Sequence, residues 1–60
     1  MPFITIEGPK MSKEKKAKLV KEITITTHKT LNIPTEAINV LIKENNPDNI
    51  GIGGKLLSDR

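Results

Sequence analysis

Sixty residues make a single domain, residues 1–60, and a chain this short leaves much of its surface in water unless something staples it. With no cysteine and one histidine, disulfides and most zinc sites are excluded, so self-association is the expected source of stability. A net charge of +3 is only mildly basic, and with Phe3 as the sole aromatic there is no platform for stacking nucleic-acid bases. No apolar run approaches the roughly 18 residues of a membrane span, and the start lacks a secretory pattern. The composition therefore predicts a soluble, cytoplasmic protein, with no nucleic acid or membrane as partner and no metal or cofactor called for.

The elements follow in chain order. Phe3-Ile4-Thr5-Ile6 is β-branched and alternating, which predicts a strand with Pro2, Ile4 and Ile6 on one face and Phe3 and Thr5 on the other. Glu7-Gly8-Pro9-Lys10 should stop it and turn the chain. Ser12 is suited to cap a helix beginning at Lys13. Apolar and small residues at Ala17, Val20, Ile23, Thr24, Thr27 and Leu31, widened by Leu19, carry helical spacing. Within that stretch Ile23-Thr24-Ile25-Thr26-Thr27 has strand propensity and strand alternation. The longer period still favours helix, ending at Asn32 ahead of Pro34.

Pro34-Thr35-Glu36 reads as a turn into a second apolar run, Ile38-Asn39-Val40-Leu41-Ile42, whose branching predicts a buried strand. Asn45-Asn46-Pro47-Asp48-Asn49 is dense in turn formers, and Ile50-Gly51-Ile52-Gly53-Gly54 with Leu56-Leu57 predicts a small hairpin and tail. The fold class is α+β: a β-α-β subunit with a parallel strand pair and a short C-terminal hairpin. Two strands are not stable alone. The face that the helix leaves bare needs another copy of the chain.

Several stretches together resemble the 4-oxalocrotonate tautomerase family over nearly the whole length. They are the opening Met1-Pro2-Phe3-Ile4-Thr5-Ile6, Glu7-Gly8, Ser12-Lys13-Glu14-Lys15-Lys16, Leu31-Asn32-Ile33-Pro34, the second strand ending at Glu44, and Gly51-Ile52-Gly53-Gly54-Lys55-Leu56. No one of these is specific; their order and spacing are. The resemblance implies dimers sharing a four-stranded sheet, commonly a homohexamer built as a trimer of dimers. It also implies a keto–enol tautomerase whose general base is the Pro2 amine, freed by removal of Met1.

Proline suits that task. Moving a proton beside a carbonyl requires a base that is uncharged near neutral pH and can return the proton. An α-amine titrates at about 7.7–8.0 before any perturbation, and an apolar pocket would lower that further by disfavouring the ammonium form. Ile4, Ile50 and Ile52 are candidate pocket walls, with Phe3 expected in the subunit core. A developing enolate also needs a cation or preorganised donors.

At that point the chain departs from the family pattern. Well-studied members carry one arginine just before the helix and another early in the second strand; here the first region reads Pro9-Lys10-Met11, and Asn39 stands at the second. Ile50 replaces a pocket aromatic, and the only arginine is Arg60. Lys10 is either the substrate-binding cation or an ordinary loop lysine, and Asn39 either a donor to a carbonyl oxygen or a structural residue. A lysine offers a point charge where arginine offers a fork, so a small enol or 2-oxo acid such as phenylenolpyruvate suits these residues better than a dicarboxylate.

Other features have plainer readings. Lys13, Lys15, Lys16 and Lys18 form a solvated helix face, and His28 is a surface or interface histidine. The Gly51–Gly54 run lacks the Lys-Ser/Thr ending of a phosphate loop. Two functions compete: a Pro2 tautomerase, and a non-catalytic oligomeric relative that lost its chemistry with the arginines. A nucleic-acid-binding module is a distant third.

Overall fold

A computed structural model describes residues 1–60. Strand β1 (Phe3–Gly8) leads into helix α1 (Lys13–Leu31), and strand β2 (Asn39–Glu44) returns parallel to β1. A short hairpin follows, β3 (Gly51–Ile52) against β4 (Lys55–Leu56), as a separate two-stranded antiparallel sheet. Turns of 3₁₀ helix at Thr35–Ala37, Pro47–Asn49 and Leu57–Asp59 make the connections. The α+β reading, with its parallel pair and terminal hairpin, matches this architecture.

Local chemistry sets the ends of the helix. Ser12 sits in extended conformation with its hydroxyl oxygen accepting from the Lys15 N–H at 3.2 Å, which satisfies one of the first-turn donors. At the other end Asn32 adopts the left-handed conformation (φ 57°) and donates its N–H to the His28 carbonyl. His28 Nδ1–H in turn donates to the Ile33 carbonyl oxygen at 2.6 Å, fastening the chain as it leaves the helix. The β-branched stretch Ile23–Thr27 is helical throughout. Lys16, Leu19, Val20, Ile23, Thr24 and Thr27 are its half-buried residues, so helical burial on one face outweighs local strand preference. Ala17 and Leu31, expected on that stripe, are exposed.

Both strands run further than their apolar cores suggest. β1 continues through Glu7 and Gly8 because they pair in register with Lys43 and Glu44. Beyond them the Asn45 N–H donates to the Gly8 carbonyl at 2.8 Å and Asn45 Nδ2 donates to Glu7 Oε1 at 3.0 Å. Pairing stops at Pro9, which has no N–H to give. β2 begins one residue after Ile38, the most enclosed residue in the chain at 9% exposure.

The parallel register gives the sheet two unlike faces. Ile4, Ile6, Val40 and Ile42 are half buried on the face over which α1 lies. Phe3 and Leu41 occupy the other face at 66% and 43% exposure. Phe3 is therefore not in the subunit core, and β2 is a strand with one covered face instead of a buried one: a single helix can cover only one side of a two-stranded sheet. The molecule is a slab of 42 × 24 × 14 Å, one helix layer on one sheet layer. Its radius of gyration is 14.7 Å, against about 10 Å for a compact chain of this length.

The hairpin contributes to that extension. Gly53 (φ 60°) and Gly54 (φ 86°) form the two-residue turn with positive φ at both centres that suits the twist of paired strands. All four of its strand residues are exposed. Only Leu57, whose N–H donates to the Ile50 carbonyl at 2.7 Å, tucks back half buried.

Candidate functional site

Pro2 lies half buried immediately before β1. Its carbonyl accepts from the Asn39 N–H at 3.2 Å, which ties the residue to the start of β2. Met1 projects into solvent at 94% exposure, so its loss would leave that tie in place. While Met1 is attached the Pro2 nitrogen is an amide and has no basic lone pair; freed, it is a secondary amine on a fixed ring. Asn39 pairs with Phe3 and so carries its side chain on the outer face, while its backbone holds Pro2.

The remaining candidates gather elsewhere. Lys10 borders an open concavity of about 290 Å³ together with Glu44, Asn45, Asn46 and Pro47. A second of about 350 Å³ adjoins it, shares Asn45 and Pro47, and is walled by Ile50, Leu57, Pro9, Gly8 and Glu7. Ile52 stands half exposed on the hairpin. Both concavities lie where β1 and β2 end, whereas Pro2 lies where they begin. Six residues of strand separate the two regions, about 20 Å at the rise of an extended chain. Within one chain, then, Pro2 and Asn39 are adjacent, Lys10 and Ile50 border adjoining concavities, and the two pairs do not meet.

A carboxylate that the sequence marks only as the end of β2 organises the Lys10 region. Glu44 Oε2 accepts from the Met11 N–H at 2.8 Å and pairs with Lys16 Nζ at 2.9 Å. The Met11 bond first, and Lys16 second, hold the Glu44 carboxyl below its ordinary range, with a smaller contribution from Lys10. Contacts spanning 33 residues leave no trace in local pattern. Glu36 is lowered too, chiefly by the Thr35 hydroxyl donating to it at 2.6 Å, but it stands apart from either region.

The family model described as "Tautomerase enzyme" matches residues 2–60. A protein of Listeria innocua named "Probable tautomerase" is 40% identical over 62 aligned residues, covering 98% of both chains. One of Bacillus cereus with the same name is 35% identical over the full length of both. Among solved structures, DmpI from Archaeoglobus fulgidus superposes with a TM-score of 0.89 at 34% identity, covering 97% of this chain and all of that one. TomN, described as a 4-oxalocrotonate tautomerase homologue in the tomaymycin biosynthetic pathway, gives a TM-score of 0.92 at 30% identity, covering 98% and 92%.

Proposed function

Since the chain belongs to the 4-oxalocrotonate tautomerase family, we propose that it is an isomerase that interconverts the enol and keto forms of a small 2-oxo acid. The Pro2 amine, released by removal of Met1, is the general base. Its nitrogen takes the proton from the enol hydroxyl and returns it to the neighbouring carbon, so the enzyme ends each turnover in the protonation state in which it began. The observation that carries this reading is the Asn39 N–H bond to the Pro2 carbonyl, which holds the ring at a sheet edge independently of Met1.

A complete pocket is formed between copies. Pro2 and Lys10 stand about a sheet length apart in one chain, and the bare face bearing Phe3 and Leu41 favours association. In the assembly, a homo-oligomer of dimers up to a hexamer, Pro2 of one copy meets Lys10, Ile50 and Ile52 of another. Lys10 holds the substrate carboxylate, and Asn39 donates to the carbonyl oxygen as negative charge develops there. The isoleucines keep water out and favour the uncharged amine. One lysine in place of two arginines suits a monocarboxylate such as phenylenolpyruvate.

The test is ketonisation of phenylenolpyruvate by protein whose N-terminus has been verified by mass, beside P2A and a form that retains Met1. Turnover by the trimmed protein, much reduced in P2A and absent from the form that retains Met1, supports the proposal. Equal rates in all three would remove it, leaving the competing reading of a non-catalytic relative, which the lack of any arginine but Arg60 favours.

A further inference from the structure

The segment carrying Lys10 is short and fastened at several points. Upstream, Gly8 is held through its carbonyl by the Asn45 N–H at 2.8 Å. Downstream, Ser12 caps α1. Between them the Met11 N–H, in the peptide bond that follows Lys10, is bound by Glu44 Oε2 at 2.8 Å. Residues 9–12 are thus pinned on both sides of Lys10, which borders the concavity that Glu44 also borders.

That proximity has a cost. A free carboxylate beside Lys10 would pair with it and repel any anion approaching the same lysine. In the structure Lys16, from the first turn of α1, takes that role: its Nζ lies 2.9 Å from Glu44 Oε2. Glu44 therefore meets a backbone donor and a dedicated cation, and Lys10 supplies only the weakest of the pulls on it.

We propose that Glu44 is a positioning residue for Lys10, anchoring residues 9–12 through the Met11 N–H while Lys16 occupies the carboxylate and leaves Lys10 open to an anionic substrate. This rests on the reading of Lys10 as the substrate-binding cation. Two consequences separate anchoring from charge. Gln at position 44 can still accept from the Met11 N–H but brings no negative charge; Ala removes both.

The experiment is steady-state ketonisation of phenylenolpyruvate at low salt by trimmed protein carrying K10A, E44Q, E44A, K16M or K16M/E44Q. K10A raises KM. E44Q lowers KM, because the repelling charge is gone and the anchor is kept. E44A has a KM about fivefold above that of E44Q, the loss expected for one backbone hydrogen bond. K16M raises KM about threefold, the scale of an exposed charge pair, with a smaller change in kcat, and the double variant K16M/E44Q returns it towards or below the parent value. Equal KM for E44A and E44Q, or no effect of K16M, in a protein where K10A does raise KM, overturns the role of Glu44 and leaves that of Lys10 standing. If K10A itself alters neither KM nor kcat, the reading of Lys10 fails first and takes this proposal with it.

Discussion

The Asn39 amide donates to the Pro2 carbonyl at 3.2 Å, so the residue proposed to do the chemistry is bound to the sheet by the side of its peptide that the chemistry does not use. That bond leaves the nitrogen unengaged, and it does not depend on Met1.

From that arrangement P2A, trimmed to the same N-terminus, is expected to keep its fold and assembly while kcat/KM falls by at least about 100-fold, the usual worth of a positioned base. Alanine retains a primary amine, so residual activity with an altered pH profile is consistent with the role. Circular dichroism and sedimentation check the first part, and ultraviolet absorbance of the enol checks the second.

The outer sheet face yields a second expectation. Phe3 and Leu41 are 66% and 43% exposed, so covering what remains would gain about 1–2 kcal/mol at Phe3 and about 1 kcal/mol at Leu41. L41E should therefore dissociate the proposed assembly at micromolar concentration, as read by analytical ultracentrifugation, and lower the melting temperature. A variant that sediments like the parent would show that this face is not the seam.

The helix ends can be tested separately from the assembly face. S12A loses the hydroxyl that accepts from the Lys15 N–H, and should cost about 1 kcal/mol. At Asn32 the backbone is left-handed, so N32G should be neutral or slightly stabilising, whereas N32V should cost about 1–2 kcal/mol. Urea unfolding at one fixed protein concentration measures both.

Acid should act through Glu44. Its folded-state carboxyl is held below the ordinary value of 4.5 by the Met11 N–H and by Lys16. A lowered folded value means stability that is present in full above 4.5 and lost as pH falls through the folded value. The difference in urea midpoint between the parent and E44Q should stay constant above about pH 5.5 and close below 4.5. A gap that persists undiminished to pH 3 would show that the carboxylate's charge contributes nothing.

Much of this fold is legible from local chemistry. Ser12, Asn32 and Pro34 mark the helix and its end, and Gly53-Gly54 marks the hairpin turn, because capping and positive φ each favour particular side chains whatever surrounds them. Ile23–Thr27 is harder: its residues favour strand, and only the longer pattern through Leu19, Val20, Ile23, Thr24 and Thr27 reveals a half-buried helical face, which also takes in Lys16, read from the sequence as solvated. Phe3 looks like a core residue by type, yet its place in the register puts it outside. Among the candidate site residues, Pro2 is proposed from the family resemblance and from the chemistry of its amine. The distance between it and Lys10 emerges only once β1 is known to run unbroken to Gly8. Glu44 and Met11 lie 33 residues apart, and nothing in the spacing of either announces the other.

The two-by-two pairing of β1 with β2 also limits how such a chain can drift. Inserting one residue between Pro2 and Gly8 would exchange inside for outside from that point on, turning Ile4 or Ile6 towards neighbours and sending Thr5 under the helix. Inserting two would preserve every side chain's orientation and merely carry the proline further from the opposite rim. Lineages of this protein should thus change the length of their first strand in even steps, and each step moves Pro2 by a full pleat.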